Sequence, residues 1–121
     1  MKQSRKLNTK GTNRNGNKVG LSFPSGLFTF YKSTIDLINI DCKNQAVMFT
    51  VFANSVKMEI EDKQSDNYHL GGKAGYRTFA NKELSLIISK RMNLQTNGIH
   101  YFDISKEGRH FILKLNNKIN Q

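Results

Sequence analysis

The chain repeats itself. Shifted by 49 residues, Leu21 falls on Leu70, Gly26 on Gly75, Thr29 on Thr78, Phe30 on Phe79 and Leu37 on Leu86. Ile35 then meets Leu84, and Ile38 meets Ile87. Five identities in eighteen ungapped positions are modest, and the pattern around them carries more weight. Each copy reads as β-β-α-β-β. Four short strands and one helix, about 45 residues, cannot bury an adequate core alone. Two copies can. The repeat therefore asks for a mainly β (β+α) fold, a small barrel or sandwich with a pseudo-two-fold axis between copies 19–62 and 67–116 of a single domain, 19–121.

In the first copy Val19–Phe23 alternates as a strand does, and Pro24-Ser25-Gly26 is a turn signal. Leu27–Tyr31 is a second, aromatic-rich strand. Ser33, three residues before Asp36, predicts a cap for a short helix over 34–39. Val47–Phe52 and the alternating Val56, Met58 and Ile60 form the closing pair. In the second copy Tyr68–Leu70 begins a strand, and the glycine-rich segment 71–75 is a loop. Tyr76–Ala80 follows as a strand, and Asn81 caps a helix over 82–92 with Leu84, Ile87, Ile88 and Met92 on its inner face. Ile99–Ile104 and Arg109–Leu115 close the unit. Beyond the helix the offset grows to about 53, which sets Phe49 on Phe102 and Val51 on Ile104. The longer second helix and its exit turn absorb the extra residues.

Charge is unevenly placed. The chain carries 19 Lys+Arg against 9 Asp+Glu, a net +10. Residues 1–18 supply six of those charges from Lys2, Arg5, Lys6, Lys10, Arg14 and Lys18, with no acid. Met1 and Leu7 are their only apolar residues, so alone this arm is expected to be disordered. A basic arm suits a polyanion, because each neutralised phosphate releases counterions. Residues 19–62 sum to −2 and residues 63–121 to +6, so the second half is the basic one.

The run Ser25-Gly26-Leu27-Phe28-Thr29-Phe30, the helix ending Leu37-Ile38-Asn39-Ile40, and Val47–Val51 together resemble the swapped-hairpin unit of AbrB-like transcription factors. That unit has a Gly-led hairpin strand, a short helix, a leucine-glycine-isoleucine exit and a closing strand pair. Here Asn39 stands at the exit glycine, and Asn tolerates positive φ. The resemblance covers about residues 19–60 and, more weakly, 68–115. It implies the tandem, MraZ-like arrangement, with both halves in one chain, and a DNA-binding activity. Leu27 and Tyr31 stand where the family carries Arg and Pro, as do Tyr76 and Ala80 in the second copy. The basic residues nearest those places are Lys32 in the first copy and Lys73, Arg77 and Lys82 in the second.

No catalytic constellation is legible. His69, His100 and His110 lack metal-ligand spacing, although His100 and His110 are expected to face each other across the last hairpin. Cys42 has no implied base and reads as an incidental thiol, at home in a reducing cytoplasm. Glu59 and Glu61 share the solvent face of one strand. The segment 71–75 lacks the phosphate-loop pattern and reads as a hairpin loop whose backbone and Lys73 could meet a phosphate. The strand aromatics read as core. No cofactor, metal or membrane partner is expected; no stretch approaches about 18 consecutive apolar residues, nor does an apolar secretory leader open the chain. The expected function is non-enzymatic binding of nucleic acid, DNA before RNA, by a regulator. The arm would track the backbone, and Lys73, Arg77, Lys82, Lys90 and Arg91 would form the basic face. The alternative is a structural or assembly protein, such as a small virion or packaging component, whose arm meets an acidic protein partner or packaged genome.

Overall fold

The computed structural model describes residues 17–73 and 75–116. It is mainly β, with strands β1 (Lys18–Phe23), β2 (Leu27–Phe30), β3 (Gln45–Val51) and β4 (Val56–Asp62) in the first copy. The second copy supplies β5 (Gly71–Lys73), β6 (Tyr76–Ala80), β7 (Gly98–Glu107) and β8 (His110–Leu115). Helix α1 (Lys32–Ile38) lies between β2 and β3, and α2 (Lys82–Met92) between β6 and β7.

The strands form one antiparallel sheet in the order β3-β4-β8-β7-β1-β2-β6-β5. The sheet curls until its edges meet. Val47 of β3 and Tyr68, just ahead of β5, exchange two backbone hydrogen bonds of 2.9 Å. Closure removes part of the open edge that a flat sheet would leave to pair with other chains.

The repeat is visible in this topology. Exchanging β1 with β5, β2 with β6, β3 with β7 and β4 with β8 returns the same circular order, read in the opposite sense. The axis passes through Thr29 and Thr78, which are paired across β2 and β6 and lie 49 residues apart. The helix N-caps, Tyr31 and Asn81, are 50 apart, and the C-caps, Asn39 and Asn93, are 54 apart. The second helix thus absorbs four residues. With Val19 matched to Tyr68, the closing bridge matches Val47 to Phe102, a spacing of 55 where the sequence suggested 53. Both spacings are odd, so every inward residue stays inward.

Inward positions alternate as the strands require. Val19, Leu21, Phe28, Phe30, Met58, Phe102, Ile104, Phe111 and Leu113 are buried, with Leu84 and Ile88 of α2 and Ile38 of α1 among them. At the axis an aromatic stack forms. Phe79 lies 4.5 Å from Phe28 and parallel within 4°, 5.0 Å from Tyr68 and 5.7 Å from Phe49.

Several local expectations change. Ser33 is not a cap: α1 begins two residues earlier, with Tyr31 at the N-cap and no side-chain bond. Asn81 does cap α2, accepting from the Leu84 N–H at 2.8 Å. Asn39 and Asn93 both take left-handed φ, at 51° and 58°. Ile87 is exposed, because the inner stripe of α2 runs through Ser85 and Ser89 instead, whose hydroxyls return to Lys82 and Leu86 carbonyls. Gly71, Gly72 and Lys73 are a strand paired with β6, not a loop. His100 pairs with Leu21 and His110 with Glu107, so the two do not face each other.

Candidate nucleic-acid interface

The arm residues Lys2, Arg5, Lys6, Lys10 and Arg14 lie outside the described residues. Lys18, counted with them from sequence, opens β1 instead. It is buried, and its Nζ stands 3.1 Å from Asp103 Oδ1. Asn116 donates to both oxygens of the same carboxylate, at 3.0 and 3.1 Å. A buried ammonium needs such a partner, so Lys18 is held by the fold and is unavailable to a phosphate.

The remaining candidates do not form one patch. Arg77 sits across from Phe30 and, at the 49-residue spacing, takes the place of Phe28. Its stem belongs to the inner rim of the sheet, and its guanidinium donates to the Gly72 carbonyl at 3.1 Å. Lys73 pairs with Tyr76, one residue removed along β6, so it stands on the opposite, outer face. Lys82 begins α2 beside the β1–β2 turn, where a Cβ on Gly26 would come within 2.8 Å of the Lys82 Cα. Gly26 takes φ of +75° there, which glycine alone adopts without cost.

The solvent face of α2 does gather charge. Lys82, Leu86 and Lys90 form one i, i+4, i+8 column, and Glu83, Ile87 and Arg91 form the column beside it. All six are exposed. Among the described residues the ion pairs are Lys18–Asp103 and Lys32–Asp36, so none of these α2 cations is neutralised. Arg91 reaches the Val51 carbonyl at 3.3 Å, and Lys90 and Arg91 also complement the negative end of the helix dipole. Lys114, which the alternation of β8 places on its outer face, is a further exposed cation. It pairs in register with Asp103 and lines a hollow together with Met92 at the end of α2. The sequence carried its signal, a lone Lys on the polar side of an alternating strand.

Histidines and carboxylates are dispersed. His69 and His100 each meet a backbone carbonyl, of Gln64 at 2.7 Å and Gln95 at 2.9 Å. Among the described residues no three His, Cys, Asp or Glu converge as a metal site would need. Burial, then the charge and hydrogen bond of Tyr101, push the Tyr31 phenol up to about 12. Burial first, then Glu83, raises Tyr68. Hydrogen bonds from Asn44 and Lys43 hold the exposed Asp41 below its usual value. Among the described residues no helix is long and apolar enough to cross a membrane.

Two aromatics escape the core reading. Phe52 is 47% exposed just past the end of β3, and Tyr76 is 50% exposed opposite Lys73. Phe52 breaks the inward series Val47, Phe49 and Val51 by one residue, a parity signal present in the sequence.

No family model, no curated protein and no solved structure matches the chain.

Proposed function

We propose that this chain is a non-enzymatic nucleic-acid-binding protein of the AbrB-like kind, a DNA-binding regulator of the cytoplasm. The observation that carries the reading is the solvent face of α2. There Lys82, Lys90 and Arg91 stand exposed and, among the described residues, without an acidic partner, spread over about 13 Å of helix at 1.5 Å per residue. Lys114 lines a hollow with Met92 at the end of that helix, and Lys2, Arg5, Lys6, Lys10 and Arg14 add charge from the arm. Surface cations outside ion pairs cost little desolvation when they meet phosphates, and each phosphate neutralised releases counterions. The tandem repeat closed around Thr29 and Thr78, with its left-handed asparagine exits, accords with the AbrB-like resemblance. A mobility shift of mixed-sequence duplex DNA tests the reading. A shift present at about 50 mM salt and gone by about 300 mM is expected, weakened by Lys90→Glu with Arg91→Glu. No shift at the lower salt refutes it.

Leu86 and Ile87, exposed at 48% and 45% in the middle of the same face, favour a second reading. An assembly component would use them, with the flanking cations, to hold an acidic protein partner. Leu86→Ser with Ile87→Ser then abolishes partner capture and leaves DNA binding untouched.

A further inference from the structure

The hollow at the end of α2 has a volume of about 330 Å³ and is lined by Ala53, Asn54, Met92, Lys114 and Leu115. That is the small end of the range for ligand pockets, about 300–1,000 Å³. Met92 and Leu115 contribute apolar groups to its lining, and Asn54 a side-chain amide able to donate and accept. Cations flank it: Lys114 in its wall, and Arg91 next to Met92 and bonded to Val51. Phe52 adjoins Ala53 in the tight β3–β4 turn, closed by its N–H donating to the Ser55 carbonyl at 2.8 Å.

The fold itself does not call for that ring. Phe52 lies out of the inward alternation, and half of it faces water. The equivalent turn of the second copy, Glu107 to His110, holds no apolar side chain. A small hollow lined by an amide and Lys114, with the exposed Phe52 one residue from Ala53 and Arg91 one residue from Met92, brings together what one unstacked nucleotide asks of a protein: a stacking surface, an edge partner and phosphate charge. A base within a duplex offers no free face to such a site.

We propose that this hollow seats one unpaired base of a single-stranded stretch, stacked on Phe52, with its phosphates toward Lys114 and Arg91. The proposal rests on the nucleic-acid reading above and names the form of nucleic acid that the site takes.

The test is fluorescence anisotropy of the full chain at about 100 mM salt, with a labelled oligothymidine of about fifteen nucleotides and a mixed-sequence duplex of the same length. Phe52→Ala is expected to weaken oligothymidine binding by about 5- to 150-fold and duplex binding by less than about two-fold. Phe52→Tyr, which keeps the stacking face, is expected to bind as the parent does. If Phe52→Ala weakens both probes alike, or neither, the proposal is overturned. A parent chain that binds duplex but not oligothymidine overturns the proposal and leaves the general reading standing. Binding of neither overturns both.

Discussion

Replacing Phe79 with alanine removes the ring on which the two copies meet. Phe79 is 8% exposed and packs against Phe28, Tyr68, Phe49 and Phe30 at centroid distances from 4.5 to 6.2 Å. Deleting a buried Phe costs about 3–5 kcal/mol, and each well-formed aromatic pair adds about 0.5–1.5 kcal/mol beyond area. Phe79 stacks with Phe28, Phe30 and Phe49 of the first copy and with Tyr68 of its own copy at the closing seam, so the upper end applies, about 4–5 kcal/mol. Phe30 is more deeply buried but meets Phe79 at the longer 6.2 Å, which puts Phe30→Ala at about 3–4 kcal/mol. A domain of this size has about 5–15 kcal/mol in all, so either change takes a large share. Urea unfolding followed by circular dichroism measures both, with an unchanged m value as the check on two-state comparison. A double-mutant cycle on Phe28→Leu and Phe79→Leu should return about 0.5–1.5 kcal/mol of coupling. A Phe79→Ala cost below about 1.5 kcal/mol, or zero coupling in the cycle, refutes the shared aromatic centre.

The helix exits give a second test: Asn39→Gly and Asn93→Gly should be near neutral in urea unfolding, whereas either Asn→Ala should cost about 1–2 kcal/mol for left-handed φ. Gly26→Ala should cost at least that much, because positive φ combines with a 2.8 Å approach to the Lys82 backbone. Tyr31 provides a pH signature. Its neutral phenol is the form that the fold favours, so its contribution is whole below pH 10 and lost as pH rises from 10 to about 12. Thermal melts over that interval should fall less steeply in Tyr31→Phe, and equal slopes would contradict the shift. Asp103→Asn should destabilise by leaving Lys18 buried without its counter-ion, while Lys18→Met with Asp103→Leu should recover much of the loss in the same melts.

Much of the fold was legible because two periodicities recur at one spacing. The hairpin aromatics and the Asn81 cap are local signals, and local signals fixed β6 and α2 to the residue. The closing bridge between Val47 and Tyr68 was not legible, since nothing near either residue says which edges meet. The site was read less well for the same reason. Lys18 and Arg77 look like free cations in a string of letters, and only long-range register reveals Asp103 beside one and the Phe30 row around the other. Lys114 was given no role and Phe52 was read with the core aromatics, although strand parity marks each as outward.

Salt dependence of binding tests the central claim most directly. The full chain, a Lys90→Glu/Arg91→Glu variant and a variant with Lys2, Arg5, Lys6, Lys10 and Arg14 changed to Gln would be titrated with one labelled DNA from about 50 to 300 mM salt. Each phosphate that a variant no longer neutralises should reduce the log–log slope by roughly 0.9. The account predicts a shallower slope for both variants, by up to about 1.8 for the helix pair, with residual binding in each. A helix variant whose slope and affinity match the parent would contradict it, and would leave the binding to the arm alone.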